Sequence, residues 1–501
     1  MNRVFLITAL VGLMILLNSN LVYSNPTSAT ESTITAETQQ NIQLLIPKID
    51  KEIHSAVGKP AYWAVIPFIL LLLMIATGPL FYEKFWHHFY PYISIFLALG
   101  VILLYLFYLQ NISQPVHSAF EYIQFIAFLF SLYVASGGIW IKVERKATPL
   151  TNVLLLVIGA IISNVIGTTG ASMLLIRPFI RINENRIKPY HIIFFIFIVS
   201  NIGGSLTPIG DPPLFLGFLK GVSFNWTLTH NFIPWALAIT LLCQLFYIID
   251  KKNADKKPVL DQNTYSGKIF LAGNRNFLWL GIIIIAVFID PNIYDWVPAI
   301  HYHGQKFSFL RELLMLTVAF FAYHFANKKA LKENEFTFGP IKEVAFIFIG
   351  IFGTMMPALE IMGDFAKSDA GIALITPNTL YWGTGLLSGF LDNAPTYMNF
   401  LTAGMASQGA SIHNLADVRA FAAGGTFFNS ILFLKSVSIG AVFFGAMTYI
   451  GNGPNFMVKS ISESCGLKMP SFFGYLIKYS LPILLPLFIL VWLIFFVFQV
   501  L

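Results

Sequence analysis

Two stretches of this chain, Thr207-Pro208-Ile209-Gly210-Asp211-Pro212-Pro213 and Thr448-Tyr449-Ile450-Gly451-Asn452-Gly453-Pro454, share a Thr-x-Ile-Gly core and interrupt apolar segments. No helix runs undisturbed through Gly and Pro at that density, so each stretch opens a helix and leaves backbone groups free to bind something. Two further polar groups sit inside apolar runs: Ser163-Asn164 with Thr168, and Asp392-Asn393 with Thr396. Brought together with Thr207, Asp211, Thr448 and Asn452, they offer hydroxyl, amide and carboxylate oxygens. Such hard donors suit a small cation, and carbonyls at half-helix C-termini add negative potential. Helix N-termini at the same breaks suit an anion instead, so a break alone does not choose.

Charge narrows the choice. Asp211 and Asp392 are the clearest carboxylates of the set, and an ionisable group inside a membrane is costly enough to be read as functional. Both are candidate Na+ ligands, and a carboxylate that holds a proton and a metal ion in turn is the simplest coupling device. Two of them repel a dianion unless cations or protons neutralise them. The structural alternative is that Asp211 caps the half-helix starting at Pro212-Pro213 and Asp392 caps the helix after it. Lys435, inside the apolar stretch Phe427–Met447, is a candidate charge partner for an Asp, or it reaches toward an interface. Cys243 and Cys465 give neither a disulfide framework nor metal-ligand spacing.

The elements that position these residues are membrane helices. The 501 residues are 56% hydrophobic and 11% charged, against roughly 25% charged residues in a soluble domain. Basic residues fall in short clusters between apolar runs, which is a topology signal and not a nucleic-acid footprint. Arg3, the apolar run Val4–Leu17 and the polar exit to Ser24 fit a signal peptide over 1–24, or an uncleaved first helix. Residues 25–60 read as an extracytoplasmic lead-in.

Spans are predicted at 61–81, 90–110 and 119–141. The run Leu150–Ile176 is basic at both ends and so reads as a re-entrant hairpin with its tip near Ser163–Gly167. Segment 190–219 then crosses through the first break and 231–249 returns. Residues 251–276 form a basic connecting loop on the cytoplasmic side. The second half repeats the pattern from the opposite side: spans near 277–296, 309–326 and 341–361, a hairpin over 379–405, a broken crossing over 419–455, and a last span over 473–499. The fold class is all-α polytopic membrane protein with an inverted-topology repeat, 61–250 and 277–501. Each half has three spans, a re-entrant hairpin, a broken helix and one more span.

The run from Asn201 through Gly203-Gly204 and Thr207-Pro208 to Gly210-Asp211 resembles the Asn-x-Gly-Gly-x-x-Ser/Thr-Pro-x-Gly-Asp motif of the sodium/proton antiporter and arsenite-pump branch (the NhaD/ArsB group) of the ion transporter superfamily, which has a citrate-transporter-like domain. Asp392-Asn393-Ala394-Pro395 resembles that group's second hairpin tip. The resemblance covers nearly all of the chain after residue 60. It implies a scaffold and a moving transport domain, usually in a homodimer, with Asn201 among the site residues. Sodium/proton members carry Asp-Asn at the first tip where this chain has Ser163-Asn164, which also resembles the Ser-Asn-Thr tips of dicarboxylate carriers.

The function expected is secondary transport, Na+ or Li+ leaving in exchange for H+ by elevator-type alternating access. The alternatives are sodium-coupled uptake of a citrate or dicarboxylate anion, and arsenite efflux. No enzyme activity, no cofactor beyond the transported ions and no nucleic-acid partner are expected. A multi-pass place in a bacterial inner membrane is. Gly210-Asp211 and Pro357-Ala358-Leu359 match pieces of an intramembrane aspartyl protease, but Asp211 lacks the Gly-x-Gly-Asp setting. Paired half-repeats with opposed hairpins favour alternating access over a fixed pore.

Overall fold

Proline marks the start of most functional helices, because a first-turn N–H has no partner to lose. It stands in the first turn of the helices beginning at Pro149, Pro189, Pro212, Gly339, Met356, Pro377 and Gly453. The computed structural model describes residues 58–143, 147–254, 269–291, 294, 296–302 and 305–499. The expected signal peptide over 1–24, most of the lead-in over 25–60 and the centre of the connecting loop lie outside the described residues.

In the first half, α1 (Ile66–Phe81), α2 (Glu83–Leu103) and α3 (Ser113–Gly137) lead through β1 (Trp140–Val143) to α4 (Pro149–Ile182). Then come α5 (Pro189–Ile198), the first break, α6 (Pro212–Lys220) and α7 (Phe224–Ala254). The second half opens with β2 (Ile269–Ala272), which pairs antiparallel with β1. Next are α8 (Asn274–Val287), the two-stranded β3 (Ile300–Tyr302) and β4 (Gln305–Phe307), α9 (Leu310–His324), α10 (Lys328–Glu333), α11 (Gly339–Thr354), α12 (Met356–Ala366) and α13 (Asp369–Leu374). The chain continues through α14 (Pro377–Phe390), α15 (Asn393–Ala406), α16 (Leu415–Ala423), α17 (Ser430–Phe444), the second break, α18 (Gly453–Ser464) and α19 (Phe472–Val497). Among the described residues, eight helices are long and apolar enough to cross a membrane, and α11 with α12 adds a ninth, bent by 46°. This is an all-α, multi-pass integral membrane protein.

By length alone α4 passes for one of those crossings, but it doubles back. The Asn152 and Asn183 side chains exchange two hydrogen bonds of 2.8 Å, whereas a straight helix would hold them about 46 Å apart. The reversal is at Gly167 (φ 77°, ψ 156°), a conformation closed to residues with a Cβ. Both ends of α4 are fastened to α5 and α7 by buried Asp250, which receives Asn152 Nδ2 (2.9 Å), Tyr190 Oη (2.6 Å) and Arg186. The second reversal lies between α14 and α15, which pack on each other.

Several helices depart from the expected spans. The span placed at 277–296 is α8, which stops at Val287, because Asp290-Pro291 follows and Asp290 accepts from buried Arg311 (3.3 Å). The span at 309–326 is the 15-residue α9. The span at 341–361 bends at Met355, just ahead of Pro357. The crossing at 419–455 is two helices, α16 and α17, separated by Gly424 (φ 77°) and Gly425 (φ 85°).

Contacts between halves are reciprocal. Helix α2 packs on α11 as α9 packs on α3, and hairpin α4 touches α18 as α15 touches α6. Each hairpin therefore rests against the half-helix that follows the other half's break.

Candidate functional site

The two breaks are built alike. Thr207 (φ −137°, ψ 156°) accepts the Gly210 N–H on Oγ1 at 3.1 Å, and Thr448 (φ −138°, ψ 169°) accepts the Gly451 N–H on Oγ1 at 3.1 Å. Each hydroxyl also donates to its own half's hairpin, Thr207 to the Asn164 carbonyl (2.6 Å) and Thr448 to the Gly389 carbonyl (2.7 Å). Glycine follows in both because a Cβ would run into a carbonyl of the preceding turn, that of Gly204 or Gly445. So the Thr-x-Ile-Gly pattern is a side-chain-stabilised turn with its hydroxyl spent on a hairpin.

What comes after the glycine decides which side chains are free. A residue at the N-cap normally accepts from the second or third N–H of its helix. After Asp211 come Pro212 and Pro213, which have none, and the Leu214 N–H goes to the Asp211 carbonyl (3.1 Å). The expectation that Asp211 caps its half-helix is therefore not met: the carboxylate takes no cap bond. It turns inward, 1% exposed, and accepts from three side chains on three other elements. Thr168 Oγ1 of the first hairpin reaches Oδ1 at 3.0 Å, Asn452 Nδ2 of the second break reaches Oδ1 at 2.9 Å, and Asn393 Nδ2 of the second hairpin reaches Oδ2 at 2.6 Å. Both breaks and both hairpins thus meet on one carboxylate.

Asp392 has the opposite fate. The residue two beyond it, Ala394, has a free N–H and donates it to Asp392 Oδ1 (3.0 Å), so Asp392 caps α15. Thr396 Oγ1 turns back to the Asp392 carbonyl (2.9 Å). Ser163 Oγ is 2.8 Å from the carbonyls of Gly159 and Val199. Asn164 donates to the Gly203 carbonyl (2.6 Å) and accepts the Leu206 N–H (2.9 Å), tying the first hairpin to the first break. Lys435 is buried in α17 with its ammonium 4.9 Å from the centre of the Phe495 ring.

Asn455 was not anticipated. Its Oδ1 accepts from Asn201 Nδ2 (2.6 Å), and its own amide donates to the carbonyls of Gly445 (2.8 Å) and Thr448 (2.9 Å). Asn201 in turn donates to the Ile196 carbonyl (2.8 Å). These two amides engage carbonyls that the interruption of α5 and of the α17 segment leaves without helical partners. Asn455 stands just beyond Pro454 in an apolar setting, the one sequence signal that could have flagged it.

Electrostatically, Asp211 lies at the start of α6 and beside the start of α18, where helix dipoles favour negative charge. The side chains hydrogen-bonded to it are neutral donors. No group of three or more His, Cys, Asp or Glu able to hold a metal ion occurs among the described residues.

Residues 57–496 match the family described as "Putative citrate transport". The chain belongs to this family. Two mycobacterial proteins are similar to this citrate-transport family member. A 46 kDa membrane protein of Mycobacterium leprae (strain TN) is 22% identical over 67% of this chain and 74% of its own length. An uncharacterized transporter of Mycobacterium tuberculosis (strain CDC 1551 / Oshkosh) is 24% identical over 52% of this chain and 60% of its own. The protein is thus a membrane transporter of the citrate-transporter-like kind.

Proposed function

We propose that the protein is a cation-coupled secondary transporter in which Asp211 takes up a proton or Na+ in turn, most simply as a Na+/H+ antiporter of a bacterial inner membrane. The observation that carries this reading is the convergence of both hairpins and both breaks on a single buried carboxylate whose ligands are uncharged. Binding or release of a cation there changes the bonds of all four elements at once, which is what coupling transport to a conformational change requires. The reciprocal packing of the halves supports an inverted repeat and elevator-type movement.

Asp392, placed as a cap, is a secondary contributor. A second reading, cation-coupled transport of a citrate-type anion, is favoured by the family description. It uses the same Asp211 centre, because an anion held near two carboxylates needs a cation with it.

Everted vesicles with a pH-sensitive dye separate the two. Antiport predicts dequenching on addition of Na+ or Li+, abolished in Asp211→Asn. Uptake of labelled citrate with no cation-induced dequenching would replace antiport by the second reading. Full activity of Asp211→Asn in either assay would reject both.

A further inference from the structure

Asp211 and Asn452 occupy the same place in the two breaks, directly after each Thr-x-Ile-Gly sequence. Their backbones agree closely, φ −143° and ψ 141° for Asp211 against φ −153° and ψ 140° for Asn452. Both are freed from capping by a following Pro-Pro or Gly-Pro, both are buried, and the two side chains touch, Nδ2 to Oδ1 at 2.9 Å. The crossing point of the breaks is therefore a near two-fold junction at which one half supplies a carboxylate and the other its amide counterpart.

We propose that this junction is built for one carboxylate, that either half can supply it, and that Asn452 is the specificity-determining residue that keeps the two breaks at a single negative charge, and so at one monovalent cation or proton, next to the capping carboxylate Asp392. The inference rests on the reading of Asp211 as the coupling group and adds to it the stoichiometry and the residue that sets it. With Asp at both positions, two carboxylates in contact cannot both be ionised without a cation or proton between them. The amide makes that second ion unnecessary and donates a hydrogen bond besides. Around Asn452 the other neighbours are acceptors, the Ser200 carbonyl and Asn201 Oδ1, each 3.3 Å from Nδ2. A carboxylate moved to position 452 would face them, so it would be repelled when bare and would need a cation or proton between itself and these oxygens.

The test uses the full chain in proteoliposomes, with Na+ and with H+ as probes, in Asp211→Asn, Asn452→Asp and the double exchange. Thermal unfolding in detergent confirms that each variant is folded. Asp211→Asn should lose cation-dependent transport. The double exchange should recover it, with a KM for the cation within about tenfold of wild type. Asn452→Asp alone should bind one additional cation or proton, seen as a Hill coefficient rising from near one toward two. A folded double exchange as inactive as Asp211→Asn, or an Asn452→Asp protein with unchanged ion number, overturns the proposal while leaving Asp211 as the coupling group. An active Asp211→Asn overturns the proposed function itself, and this inference with it.

Discussion

Two carboxylates of similar sequence setting end in different roles because of the residues beside them. Pro212 and Pro213 deny Asp211 a cap partner, while Ala394 offers one to Asp392. Asn is as good an N-cap as Asp, so the two replacements should behave differently. Asp392→Asn should keep its unfolding midpoint and lose no more than about tenfold in cation affinity, about 1.4 kcal/mol. Asp211→Asn should lose at least about a hundredfold in transport rate, about 2.7 kcal/mol. Kinetics of both variants in proteoliposomes, with melting curves alongside, check this, and equal losses would contradict the division of roles. Both carboxylates could be read from the sequence, since polar residues in apolar runs stand out. Their different bonding depends on which neighbours reach the carboxylate, and Thr168, Asn393 and Asn452 come from elements far apart in the chain.

The hairpins and breaks are local features, written in Gly, Pro, Asn and Thr, and for that reason the sequence placed them closely. The first reversal falls at Gly167, at the end of the expected tip. The helices beside the site were legible only as apolar runs. The early end of α8 follows from Asp290 meeting Arg311, a tertiary pairing that hydropathy does not see. Two outcomes belong to the elements. Gly167→Ala places a Cβ at φ 77° and should lower stability by about 1 kcal/mol or more, read as a lower unfolding midpoint. Asp250→Ala leaves the largely buried Arg186 without its carboxylate and unfastens the base of α4, with an expected loss of about 3–5 kcal/mol. Asp250→Ala melting like wild type would show that the base of the hairpin is held by other contacts.

At the scale of the molecule, α4–α7 and α14–α18 hold the site, while α1–α3 and α8–α12 stand beside them. On the elevator reading the two groups slide past one another, so ion pairs between them must break with each stroke. Lys220 at the end of α6 pairs with Glu121 on α3, both largely buried, and Arg177 on α4 pairs with Glu335 beyond α10 at 2.7 Å. Glu121→Lys should therefore shift the balance between inward-facing and outward-facing states, and adding Lys220→Glu should restore it. Labelling of a single cysteine from either side of the membrane reads that balance, and an unchanged pattern in Glu121→Lys would separate this pair from the stroke.

A cation is proposed to bind at the one carboxylate where both hairpins and both breaks meet. Equilibrium binding of radiolabelled sodium to the purified wild-type protein tests it most directly, with Asp211→Asn and Asp392→Asn measured beside it. Saturable binding is expected in wild type, competed by protons, retained in Asp392→Asn and lost in Asp211→Asn. Sodium binding that survives Asp211→Asn unchanged would contradict it.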